Sequence, residues 1–129
     1  MARTAVPYST LVPNGELADP AGTAVTSGAG NGGQIPDVSP NRRQSLPELT
    51  LLRVANASGS TGTATVKAGA NPPAVAAGQG DLTTTNILTA TSRWIGPFES
   101  GRFVQSDGSL IVETTQNMTI TAFRFPRNT

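Results

Sequence analysis

Three carboxylates, Glu99, Asp107 and Glu113, lie close together along the chain, and two carboxylates flanking one bond are what glycoside cleavage requires. Their neighbours argue against that chemistry. Asp107 precedes Gly108, and Asp-Gly is the pair a two-residue hairpin turn needs, because both central residues take positive φ. Glu113 then falls opposite Arg102 when pairs are counted outward from the turn, so two of the three acids have a structural explanation. The chain has no Cys and no His, which removes a thiol nucleophile, a disulfide framework and a Cys-type zinc site. Gly28-Ala29-Gly30-Asn31-Gly32-Gly33 fits G-x-G-x-x-G on paper, but Pro36 and Pro40 follow where a phosphate-binding helix should begin, which leaves a flexible loop. Asn56-Ala57-Ser58 and Asn117-Met118-Thr119 match the glycosylation acceptor pattern; nothing else marks the chain as secreted, so chance explains both. No catalytic, cofactor-binding or metal-binding residue is assigned, and the protein is not expected to be an enzyme.

What remains is binding. Tyr8, Leu11 and Val12 form the one sizeable apolar cluster before residue 48 and are the expected anchors in a partner groove. Arg42 and Arg43 in the same segment are suited to an acidic surface. A formal net charge of +1 does not point to nucleic acid, whose binders carry a basic face or stripe. The basic residues are eight Arg and one Lys, Lys67, a balance that GC-rich coding explains better than interface selection does. No apolar run approaches the ~20 residues of a membrane span, and the N-terminal residues lack a signal-peptide pattern.

The elements that would hold such a surface are strands. Composition is rich in Gly, Pro, Thr, Ser and Ala; no long apolar stripe at helical spacing occurs, whereas period-two alternation recurs. The fold class expected is all-β: a small antiparallel β-sandwich or barrel (residues 48–129) with a long, extended, Gly/Pro-rich N-terminal arm (residues 1–47). Ordering such an arm costs roughly 1 kcal/mol per residue, more than its small side chains offset by folding on themselves. It is therefore expected to lie across other surfaces, its own β domain or, preferentially, neighbouring subunits. Trp94 and the four Phe residues fall in the last third of the chain, where the core is expected, with Trp94 inside it. The Asp107-Gly108 turn would pair Gln105 with Leu110, Val104 with Ile111, Phe103 with Val112 and Arg102 with Glu113, placing Phe103, Leu110 and Val112 on one face. Thr50, Leu52 and Val54 alternate with Leu49, Leu51 and Arg53, and Ala64, Val66 and Ala68 alternate with Thr63, Thr65 and Lys67; these two runs read as a second hairpin. Pro72-Pro73 and nearby glycines mark a surface loop, and Met118, Ile120 and Ala122 share one face of a closing strand.

The phrases VKAGANPPAVAAGQGDL and WIGPFESGRFVQSDGSLIVE resemble small proteins encoded among the virion structural genes of tailed bacteriophages that infect actinobacteria, a likeness covering roughly Leu49 to Pro126. The resemblance implies a β-rich capsid decoration or minor capsid protein on the exterior of the virion, made in the bacterial host cytoplasm. Its partners would be the major capsid protein and further copies of itself, with a trimer expected, and neither nucleic acid nor membrane. Two alternatives stay open: a neck or tail structural component, and a carbohydrate-binding module in which Trp94 or Tyr8 stacks on sugar.

Overall fold

The computed structural model describes residues 3–35, 47–69, 80–98, 100–105 and 109–125. They build two mixed β-sheets packed face to face. The first sheet runs β1 (Thr4–Ala5), β4 (Gly33–Ile35), β9 (Leu110–Thr114), β6 (Ala64–Val66), β7 (Leu82–Thr83). The second runs β2 (Tyr8–Thr10), β10 (Met118–Arg124), β5 (Thr50–Asn56), β8 (Thr91–Ile95), and β3 (Thr23–Val25) also pairs with β10. A 3-10 turn over Pro47–Leu49 and one helical turn, α1 (Ser100–Phe103), complete the described elements.

Period-two alternation decides which side chains face the interior. Thr50, Leu52, Val54 and Asn56 of β5 and Met118, Ile120 and Ala122 of β10 point inward from the second sheet, meeting Ile35, Ala64, Val66, Leu110 and Val112 of the first. Burying a Val, Leu or Ile side chain of this kind contributes about 1.5–3 kcal/mol. Ile87, Ile95, Phe98 and Phe103 close the ends, the two Phe rings edge to face at 5.6 Å.

The architecture is the expected all-β sandwich, but each sheet includes one parallel pair, β1 with β4 and β2 with β10. Both parallel strands come from the N-terminal segment. Residues 3–35 supply β1 and β4 to the first sheet and β2 and β3 to the second, and their Val6, Val25 and Ile35 are buried in the common core. Of the two surfaces expected to receive this segment, it lies on the chain's own β domain. Gly33 lies where these side chains converge: an added Cβ would sit 2.9 Å from Val6 Cγ2 and 3.4 Å from both Ile120 Cδ1 and Val25 Cγ1.

Two expected hairpins are replaced by longer-range pairings. Asp107 and Gly108 lie outside the described residues, but the ladder expected around them does not form. β9 is an interior strand whose edges are taken by β4 and β6, so Val112 lies opposite Gly33 and Val66, and Glu113 opposite Thr65. No edge is left for residues 102–105. Phe103 instead enters the core from α1, and Gln105 N–H donates to the Ser109 carbonyl at 2.8 Å. The runs around β5 and β6 alternate as expected yet belong to opposite sheets, β5 pairing with β10 and β8, and β6 with β9 and β7. The Pro72-Pro73 loop lies outside the described residues.

Removing residues 1–47 would strip four strands and expose the floor under Val6, Val25 and Ile35. The fragment 48–129 is expected to lack the full chain's cooperative thermal transition by circular dichroism; an unchanged transition would show β1 to β4 to be dispensable for folding.

Candidate functional site

The outer face of the second sheet carries the most distinctive arrangement of side chains. Leu51, Arg53 and Ala55 of β5 and Thr119, Thr121 and Phe123 of β10 alternate away from the core, and pairing places Trp94 opposite Arg53 and Arg53 opposite Thr121. Trp94, expected in the core, is 56% exposed. The reason is register: on β8 it is Ile95 that lies opposite the inward Leu52, so its neighbour Trp94 faces out. The indole stacks on Phe123, with ring centroids 5.6 Å apart and planes 23° from parallel. The Arg53 guanidinium carbon lies 5.7 Å from each ring centroid, a cation–π geometry worth about 0.5–1 kcal/mol at an exposed site.

Arg53 is also fixed from the other side. Its Nη1 donates to Asp19 Oδ1 at 2.6 Å, and its Nη2 to the Pro20 carbonyl at 2.9 Å and to Thr121 Oγ1 at 3.4 Å. The ion pair adds about 0–1 kcal/mol, because the Asp19 carboxylate is largely exposed. Its geometric effect is larger: one guanidinium ties the loop between β2 and β3 to the aromatic pair. The result is a fixed aromatic plate with a cation, a carboxylate and a hydroxyl beside it.

The outer face of the first sheet is a charge network closed on itself. Glu113 Oε2 accepts from Arg3 Nη1 and from the Gly30 N–H, both at 2.9 Å, and Lys67 Nζ lies 3.9 Å from Oε1 and 2.8 Å from Asp81 Oδ2. Arg3 also donates to the Asn31 carbonyl. Burial pushes the Glu113 carboxyl up, but the Gly30 N–H, Arg3 and Lys67 outweigh it and hold it below its ordinary value. Asp81 is lowered by Lys67 and the Ala68 N–H, and Lys67 is correspondingly raised by Asp81. A depression of about 350 Å³ lies alongside, lined by Ser27, Gly28, Ala29, Thr65, Glu113, Thr114 and Thr115. With its carboxylate held ionised and occupied by donors, Glu113 is poorly placed to act as a base there. Among the described residues no three acidic side chains gather into a metal-ligand group, and no helix is long and apolar enough to cross a membrane.

The residues singled out from the sequence are dispersed. Tyr8 is half-buried against the core, its hydroxyl 2.7 Å from Thr50 Oγ1, so it anchors the segment internally. Leu11 is partly buried and its N–H donates to the Arg124 carbonyl at 2.9 Å. Val12 is exposed. Arg42, Arg43, Glu99 and Asp107 lie outside the described residues. Glu113 pairs with Arg3 rather than Arg102. Asn56 is buried, its amide donating to the Ser60 and Ile87 carbonyls and its Oδ1 accepting from Ser58, which makes it a turn organiser and no glycan acceptor. The Gly28–Gly33 stretch is a bonded turn, with Gly28 N–H on the Thr114 carbonyl and Gly32 at φ +92°. Trp94 with Arg53 is the grouping that sequence reading missed. The outward position of Arg53 was visible in β5, but no local signal says which strand lies beside it.

Comparison with protein-family models, with curated proteins and with solved structures gives no match.

Because the Glu113 carboxyl is lowered in the folded state, its contribution to stability is present above its ordinary value of 4.5 and is lost as pH falls below that value through the folded one. Glu113→Gln is expected to destabilise by about 1–3 kcal/mol at pH 7 by weakening the acceptor for Arg3 and Gly30, and to flatten stability between pH 5 and roughly pH 3. Chemical denaturation across that range checks both; an unchanged acid slope in the variant would remove Glu113 from the account.

Proposed function

We propose that the protein is a bacteriophage capsid decoration (minor capsid) protein, which binds the outer surface of the assembled head and reinforces it. The observation that carries this reading is the loop between β2 and β3. It turns at Asn14-Gly15, with Asn14 at φ 54° and the Gly15 N–H donating to the Val12 carbonyl at 3.2 Å, and it presents Val12 and Leu17, 49% and 39% exposed. Both ends of the loop are held, one by β2 on β10 and the other by Asp19 on Arg53. Two apolar side chains on a braced turn suit insertion into a groove of a partner at little entropic cost. The resemblance of the sequence phrases within residues 49–126 to virion structural proteins would make that partner the major capsid protein, with self-association as a trimer around local symmetry axes.

Reinforcement would follow by linkage. A protein that binds the assembled shell and not loose subunits stabilises the shell by mass action, and attachment through several copies lets modest contacts hold firmly. The charge balance, near neutral, suits contact with protein better than with nucleic acid.

The double variant Val12→Asp, Leu17→Asp changes only exposed side chains, so its thermal transition should match the parent. Its binding to undecorated heads, measured by co-sedimentation and cryo-electron microscopy, is expected to fall about tenfold or more. Undiminished lattice decoration by the variant would refute the loop's role, and parent protein found only at the portal vertex would replace head decoration by a neck position.

A further inference from the structure

We infer that the Trp94 plate on the outer face of the second sheet is a carbohydrate-binding site, taking a β-linked oligosaccharide of gluco or N-acetylgluco configuration. This site uses side chains other than Val12 and Leu17 and does not depend on the capsid reading. Phe123 covers one face of the indole, yet more than half of Trp94 is exposed. The area open to solvent therefore includes the opposite face. The ring is held by the stack beneath it and by the Arg53 guanidinium, 5.7 Å from its centroid and equally far from that of Phe123, so little rotamer freedom is left to lose on binding.

The surroundings select the ligand class. Across the strand from Trp94 lies Arg53, and the next outward position on β8 is Ser92, opposite Ala55; beyond Arg53 come the Asp19 carboxylate and the Thr121 hydroxyl. The plate is thus a single apolar disc bordered by groups that donate and accept hydrogen bonds. A pyranose with equatorial substituents has the complementary pattern, C–H bonds on its faces and hydroxyls around its rim. β-Linked gluco units present such faces along an extended chain, so one unit can stack while its neighbours reach Arg53 and Asp19. Beyond Phe123, on which the indole is stacked, the outward positions nearest Trp94 are Arg53, Ser92 and Ala55, a narrower apolar surface than the one in which a protein hot spot sits. Stacked nucleic-acid bases would bring phosphates past an exposed carboxylate, with the nearest cation already paired to it.

Trp94 is the sole Trp of the chain, so intrinsic fluorescence reads this site alone. Titrating the full-length protein with cellohexaose and with chitohexaose is expected to give, for at least one of them, a saturable blue shift with half-saturation on the order of 1 mM or tighter. By isothermal titration calorimetry Trp94→Ala should weaken binding about tenfold or more, Trp94→Phe should retain part of it, and Val12→Asp, Leu17→Asp should leave it unchanged. No saturable response to either oligosaccharide overturns the inference, as does equal binding by Trp94→Ala. A response to a single-stranded oligonucleotide in place of the sugars, or Trp94→Ala losing attachment to phage heads while the sugars give no response, would reassign the plate to nucleic acid or to protein.

Discussion

β10 is the strand on which the rest of the molecule depends. Along one edge it pairs with β5 from Thr119 to Arg124; along the other it takes β3 at Met118 to Ile120 and β2 at Ala122 to Arg124. Its inward residues Met118, Ile120 and Ala122 are buried in the core. Segments far apart in sequence therefore share one set of backbone hydrogen bonds. Gly33 makes the arrangement feasible on the opposite side: without a side chain there, Ile120, Val6 and Val25 converge on β4. The N-terminal segment is consequently part of the sandwich core, contributing strands to both sheets and three aliphatic side chains between them.

With the interior given to apolar packing, the charge network and the Trp94 grouping lie on the two outer faces, which differ in kind. On the first sheet Arg3, Glu113, Lys67 and Asp81 neutralise one another, and the network secures β1 to β9 more than it offers a surface to a ligand. On the second sheet one cation bridges an aromatic stack and a loop, leaving an indole open to solvent and a turn tipped with Val12 and Leu17. The turn and the plate use different side chains, so the proposed attachment and the proposed sugar site do not compete.

Much of the strand pattern was legible in the residues. Thr50, Leu52 and Val54, Ala64 and Val66, and Met118, Ile120 and Ala122 take the faces that alternation assigns, because adjacent side chains of a strand must point to opposite sides. The all-β class followed from the same periodicity and the scarcity of helix formers. The lack of Cys and His excluded thiol and imidazole chemistry outright. These conclusions rest on properties a residue or a short run carries wherever the chain goes.

Which strand lies beside which was settled only by tertiary structure. Phe103 and Val112 read as partners across an Asp-Gly turn, but β9 found β4 and β6 at its edges, and Phe103 reached the core from a helical turn. β5 and β6 read as a hairpin and went to opposite sheets. Trp94 read as core because it is large and aromatic; a register that matched Ile95 with Leu52 turned it outward, and a slip of one residue would have buried it. Alternation is enforced by local geometry, whereas pairing depends on which edges remain unoccupied once the whole chain has collapsed, and the candidate site is a product of the second.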